Sequence, residues 1–473
     1  MKNLILFILI FIASISIAKA NQSGLSTQLN QILKHFDRPV SLGIMVKDQQ
    51  TGQILFQKNA DNYFMPASNE KLLTAFAALL YLGDNFTYQT RLFADTTKIQ
   101  NGILNDNVYL QFSGDPEFTM VQLERLIKTL SQAGIKQING KLSIDDSAFD
   151  QTSMSPGTTW DDKDYCWGAP VSAIIIDKNC VKTTLVPAVK PSVAARMTAP
   201  AYPQSMTYIN NVTTALPNAD KCVTHVKRGN QNAYVIDGCI HPVPTKPRAI
   251  ENSIDDARAN LQFLLIYLLD KNKIASTKSF EFAKITNAPP LLASQLSPPL
   301  HGLIKKMLKE SDNMIANALF KTMGMVYSKD SGTFENGSAA VRDMLVKSIK
   351  LEIPDTTVVD GDGTSRYDFL TPNQLVTLLQ SASTFKHAEL FHDALPIGGI
   401  DGTLAYRMKT APALGQVYAK TGSETAVSTL SGYLETNKRH HLVFSIMING
   451  FVDLPKKYQD LEDRICETLI ENG

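Results

Sequence analysis

Segments that read as β-strands crowd the two ends of this 473-residue chain, and that arrangement restricts the fold more than any other feature. Near the start, alternating apolar residues run from Val40 to Thr51-Gly52 and resume through Ile54, Leu55 and Phe56 to Lys58, the pattern of a hairpin. Near the end, residues 416–421, 427–435 and 441–449 read as three more strands. A final amphipathic helix follows, with Leu461, Ile465 and Ile470 on one side. Strands drawn from both termini predict one antiparallel five-stranded sheet flanked by helices, an α/β (α+β) architecture. The middle of the chain is then left to helices and insertions.

Two helical regions frame that middle. Residues 68–82 are almost wholly apolar after Lys71 and end at Gly83, a C-cap residue, so this helix is expected to be buried. Residues 303–325 form the second region, broken around Ser311-Asp312-Asn313. The 243 residues from Ser68 to Ser311 far exceed what a compact connection needs. The reading is therefore a discontinuous domain, 21–84 and 251–473, carrying an insertion over 85–250 that divides into two pieces split near 96–165. Within the insertion, residues 108–112, 120–133 and 138–144 read as strand, helix and strand.

Three short motifs stand in order on this frame: Ser68-Asn69-Glu70-Lys71, Ser311-Asp312-Asn313 and Lys420-Thr421-Gly422. Singly each is noise. Together they describe a serine acyl-transfer centre whose general base is a lysine. Ser68 opens the buried helix, where free N–H groups favour an oxyanion, and Lys71 lies one turn on, above the same face. A lysine held in apolar surroundings is more easily neutral, and only the neutral amine takes a serine proton. Ser311 and Asn313 fall where a helix breaks, the hydroxyl suited to proton relay and the amide to bonding both the lysine and a substrate amide. Lys420 is read as a fixed positive charge on a strand. With the Thr421 and Ser423 hydroxyls it suits a substrate carboxylate, and Gly422 is expected to let a substrate backbone approach.

The first twenty residues read as a cleaved signal peptide: Lys2, an apolar stretch from Leu4 to Ile17, and Ala18-Lys19-Ala20 as the cleavage site. Export to a bacterial periplasm is expected. Cleavage leaves 44 basic against 45 acidic residues, which argues against nucleic-acid partners and allows at most weak membrane association. The five cysteines suit an oxidising compartment. Residues 222–239 read as a hairpin turning at Asn230-Gln231, with position i opposite 461 − i, so Cys222 is expected to bridge Cys239. Cys166–Cys180 is the next pair, leaving Cys466 unpaired. Cysteine–histidine metal spacing is absent, His440-His441 reads as a strand edge, and neither metal nor cofactor is expected.

With these residues in view, the chain resembles the penicillin-binding proteins of the D-alanyl-D-alanine carboxypeptidase/endopeptidase kind, the peptidase S13 family. The likeness is carried by Pro66–Lys71, Ser311–Ala316, Leu395–Leu404 and Ala419–Gly422, with Gly114-Asp115-Pro116 and Asp145-Asp146-Ser147 in the insertion. It implies the serine β-lactamase/penicillin-binding-protein fold, Ser68 as nucleophile and Lys71 as base. Ser311 and Asn313 would assist, and Lys420, Thr421 and Ser423 would hold a terminal carboxylate. The backbone N–H groups of Ser68 and Ser423 would form the oxyanion hole. The implied substrates are peptidoglycan stem peptides ending in D-alanyl-D-alanine, and the implied inhibitors are β-lactams. Two positions depart from the family pattern: Asp362 stands where a serine is usual, and Ser423 where threonine is commoner. Asp362 is expected to place negative charge near Arg366, both as substrate-binding residues; Trp160 and Asp162 are candidates to line the same pocket. Two rivals fare worse. Class A β-lactamases add a glutamate followed by Leu-Asn, and Glu335, Glu352 and Glu389 lack that follower. A non-catalytic wall-binding protein has no need to keep every hydroxyl, amine and amide of the chemistry.

Overall fold

The computed structural model describes residues 24–36, 39–198, 202–203, 205–216, 219, 222–229, 232–242, 247–354 and 357–473. Residues 1–20, expected to be a signal peptide, and Asn230-Gln231, expected to form a turn, lie outside the described residues. The chain divides into two compact units.

Among the described residues, the first unit comprises those in 24–85, 300–312 and 337–473. Its sheet is five-stranded and antiparallel, in the order Val417–Glu424, Val427–Glu435, His441–Asn449, Ser41–Asp48, Ile54–Lys58. The two termini do build one sheet. Strand alternation sends Leu430 and Leu434 to one face, where they join Leu461, Ile465 and Leu469 of the helix Lys456–Asn472 in a common core. Tyr433 points to the other face and donates its hydroxyl to Leu379 O at 2.6 Å, on the helix Pro372–Ala382. With both faces covered, the strand Val427–Glu435 is buried along its whole length save Glu435. The last helix therefore spends its apolar side on the sheet rather than on a membrane surface. Among the described residues no helix is long and apolar enough to cross a membrane.

The second unit comprises residues 86–299 and 313–336. Here the structure redraws the domain limits read from the sequence, which kept 251–299 with the terminal sheet. Phe280–Phe282 pairs with Leu142–Asp145, and Leu291–Leu296 pairs with Gln89–Phe93, closing a second five-stranded sheet. The helix Ala257–Lys271 buries Leu261, Leu264, Leu265 and Leu268 in the same core as Leu123, Ile127 and Leu130 of the helix Met120–Gln132. Those leucines recur every three or four residues, and this packing explains why the segment belongs with the insertion. The expected strand–helix–strand is present, with Val108–Gln111 parallel to Leu142–Asp145 and a Thr119/Gln122 capping box opening the helix.

A smaller core around Leu185, Val212, Ile236 and Ile250 lies beneath short sheets that carry both disulfides. Cys166–Cys180 and Cys222–Cys239 have Cα separations of 5.1 and 5.3 Å, and Cys466 is unpaired and buried. The hairpin register is one residue off the expected one: Thr224 faces Gly238 and Arg228 faces Tyr234, so partners sum to 462. The bridge forms just outside that ladder, where Cys239 N–H bonds Val223 O at 3.1 Å.

Candidate active site

Ser68 sits in a single 3₁₀ turn, Ala67–Glu70, and the α-helix begins only at Lys71 and runs to Tyr81. Ala67 holds φ at +45°, a left-handed conformation rare for a residue with a side chain. The turn is held there from two sides. Asn69 donates its amide to Lys420 O (3.2 Å) and Thr429 Oγ1 (2.7 Å), and Thr429 donates its hydroxyl to Pro66 O (2.8 Å). On the other side, Gly363 approaches so closely that a Cβ there would lie 2.0 Å from Ala67 O, and its φ is +80°. Only glycine fits such a place. A local backbone strain this over-determined is a common property of catalytic turns.

Lys71 is wholly buried, and its Nζ lies 2.8 Å from Ser68 Oγ. It also donates to the Asp362 carbonyl at 2.7 Å. Burial pulls the ammonium below its ordinary range, against the opposing pull of Asp362, Asp360, Asp312 and Glu424. Ser311 follows directly on the helix Leu300–Glu310, in the left-handed position where helices commonly end, at φ +60°. That conformation turns its side chain to Lys420, whose Nζ donates to Ser311 Oγ at 2.9 Å and to Thr421 O at 2.7 Å.

Lys420 is as buried as Lys71, and burial, with Lys71 adding like charge, pushes it well below the usual lysine range. Burial thus works against the fixed positive charge read from the sequence, and a carboxylate beside the amine would favour its charged form. Thr421 hydrogen-bonds Thr403 at 2.7 Å, in a turn fastened by the Lys309–Asp401 ion pair at 2.7 Å. Ser423 is exposed.

Three expected roles differ in the structure. Gly422 faces inward: a Cβ there would meet Thr429 Oγ1 at 2.2 Å and Pro66 O at 2.8 Å. The glycine is needed to seat the Ser68 turn, not to admit a substrate backbone. Asp362 also turns inward, its carboxylate accepting from Thr364 N and Oγ1 at 2.9 and 2.8 Å, while its carbonyl holds Lys71. Arg366 instead pairs with Glu424 at 3.6 Å and donates to Thr425 O at 3.2 Å. Asn313 belongs to the second unit, and its amide donates to Trp167 O at 2.8 Å. Trp160 is 76% exposed with Lys163 Nζ 4.8 Å from its ring centre, and Asp162 lies in the same short turn. Asn69, Thr429, Thr403 and Gly363 escaped the sequence reading, although Asn69 lies inside the first motif.

The sequence profile of the D-Ala-D-Ala carboxypeptidase 3 (S13) family matches residues 25–469. The chain belongs to this family. Among S13 relatives, the D-alanyl-D-alanine carboxypeptidase DacB of Haemophilus influenzae is 31% identical over 415 residues, 87% of this chain and 86% of that protein. The D-alanyl-D-alanine carboxypeptidase of Actinomadura sp. is 28% identical, over 86% of this chain and 77% of the relative. The crystal structure of penicillin-binding protein 4 from H. influenzae superposes with a TM-score of 0.84 at 29% identity, covering 94% of this chain and 99% of that one. A second structure of that protein is complexed with a β-lactam. The S13 chain described here thus has the penicillin-binding-protein fold, and the Ser68–Lys71 and Ser311–Lys420 pairs are its paired hydroxyls and amines.

Proposed function

We propose that this chain is a serine D-Ala-D-Ala carboxypeptidase/endopeptidase that acts on peptidoglycan stem peptides in the periplasm and is acylated by β-lactams. The observation that carries the reading is the Lys71 Nζ–Ser68 Oγ contact of 2.8 Å beside a second lysine–serine pair at 2.9 Å. Lys71 takes the Ser68 proton as Oγ attacks the carbonyl carbon of the penultimate D-alanine, and N–H groups at Ser68 and Ser423 receive the oxyanion. Collapse of the tetrahedral intermediate breaks the C–N bond. Ser311 passes a proton to the leaving D-alanine amine, and Lys71 is the source of that proton. Water, deprotonated by Lys71, then cleaves the acyl ester and frees Ser68. Lys420, Thr421 and Ser423 hold the terminal carboxylate, whose negative charge favours the charged form of the buried Lys420. Asn313 positions the substrate amide, and Arg366 with Glu424 grips the preceding side chain.

Export is supported by the pattern of residues 1–20 and by two disulfides. The test is to incubate the mature protein with a fluorescent penicillin, map the adduct by peptide mass spectrometry, and assay D-alanine release from a D-alanyl-D-alanine peptide. A lasting adduct on Ser68, absent in Ser68→Ala, with D-alanine release is expected. Label retained in a cooperatively folded Ser68→Ala protein would overturn the assignment.

A further inference from the structure

Behind the Ser68 turn lies a cluster that the peptidase chemistry does not use. Glu70, Asp360 and Asp368 each bring one carboxylate oxygen into a group whose members all lie within 4.8 Å of one another. All three side chains are completely buried. Glu70 reaches it as the last residue of the 3₁₀ turn. Asp360 is fixed by its own loop, Oδ1 accepting from the N–H of Asp362 and Gly363 at 3.1 and 2.7 Å, and Oδ2 from Ser365 N at 3.0 Å. Asp368 Oδ1 accepts from Val359 N at 2.7 Å. Both Glu70 oxygens lack a hydrogen-bond donor, as does Asp368 Oδ2, which faces the Asp360 carboxyl.

Three carboxyl groups so close, out of water, cannot all stay ionised and bare; they take up protons or a cation. A proton shared between Asp368 and Asp360 satisfies that pair but leaves both oxygens of Glu70 without a partner. One ion satisfies an oxygen of each residue at once. The donor set is all oxygen, which selects a hard cation. Two oxygens on one calcium ion lie no more than about 5 Å apart, twice a bond of 2.3–2.6 Å, and the cluster fits inside that limit. Magnesium, with bonds near 2.1 Å, requires a span of about 4 Å or less.

We propose that Glu70, Asp360 and Asp368 form a buried site for a calcium-sized divalent cation, which pins the Ser68 turn to the loop 360–368. This is a structural site, separate from the bond-making atoms. It is sealed from solvent, so the ion is taken up during folding and retained. The test is elemental analysis of the mature protein purified without chelator, followed by thermal unfolding in calcium chloride and in EDTA. About one equivalent of calcium is expected in the wild type and none in Glu70→Gln or Asp368→Asn. Calcium is expected to raise the wild-type midpoint by about 3 °C or more and to leave the variants unmoved. Magnesium or manganese in the same stoichiometry, lost in the same variants, supports the site with a different occupant. No bound metal and no shift of the wild-type midpoint would overturn it and assign the cluster to shared protons, as would metal retained in both variants. Should the variants fail to fold, the wild-type stoichiometry and midpoint decide alone.

Discussion

At the scale of single residues, the site depends on two positions that touch no reacting atom. Gly422 leaves room for Thr429 Oγ1 and Pro66 O on the inner side of the strand. Gly422→Ala should therefore displace the Ser68 turn from Lys420 by a fraction of an ångström to an ångström. A misplacement of that size costs on the order of 10²-fold, read as the rate of acylation by a fluorescent penicillin. An acylation rate within twofold of wild type would mean that the turn and strand are not coupled through this contact. Thr429→Val keeps the shape but removes the donor to Pro66 O and the acceptor of the Asn69 amide. Leaving these buried groups unpaired should cost about 1–3 kcal/mol in urea unfolding. Ser68, Lys71, Ser311 and Lys420 were legible in the sequence because their spacing is local and their chemistry demands those residue types. Asn69 was not, because its partners lie 351 and 360 residues away. Gly422 was noticed for its type and misread for its direction, since a glycine does not announce which side of a strand must be empty.

Among the elements, the closing helix Lys456–Asn472 shows how a polar residue is tolerated on a packed face. Glu462 is fully buried, yet Arg407 Nη2 reaches it at 2.9 Å and Asp463 at 2.6 Å, and Ser428 Oγ donates to it at 2.7 Å. Burial outweighs these partners and holds the Glu462 carboxyl above its ordinary range. Arg407→Met would leave that acid buried without its cation, a loss of about 3–5 kcal/mol measured by urea unfolding near pH 8. The sign of the pH effect follows from the direction of the shift. An acid whose folded-state pKa lies above its unfolded value opposes folding more as pH rises, so the variant's deficit should shrink toward about pH 5. A deficit that grew on acidification would point to a different origin for the loss. The apolar side of this helix was plain from its periodicity, and its sheet partner was too. The helix Ala257–Lys271 was assigned to the wrong unit, because periodicity says that a face is buried but not against what.

For the whole molecule, two disulfides of similar span permit a comparison that separates stability from function. Cys166–Cys180 and Cys222–Cys239 close loops of 14 and 17 residues, so removing either should cost about 3 kcal/mol through the unfolded chain. Their neighbourhoods differ. Cys166 precedes Trp167, whose carbonyl receives the Asn313 amide at 2.8 Å, whereas Cys222 and Cys239 lie at the end of a hairpin beside Thr224. Replacing Cys166 and Cys180 by serine should free the Trp167 peptide and with it the orientation of Asn313, the third member of the second motif. Acylation is expected to slow about tenfold, the equivalent of roughly 1.4 kcal/mol in the barrier. The same replacement at Cys222 and Cys239 should lower the unfolding midpoint comparably while leaving the acylation rate within about twofold, because the ladder from Thr224 to Arg228 still holds Arg228 against Asp164. Paired measurements of urea unfolding and penicillin acylation on both double variants check this. Equal losses of rate in the two would mean that Asn313 does not depend on its bond to Trp167.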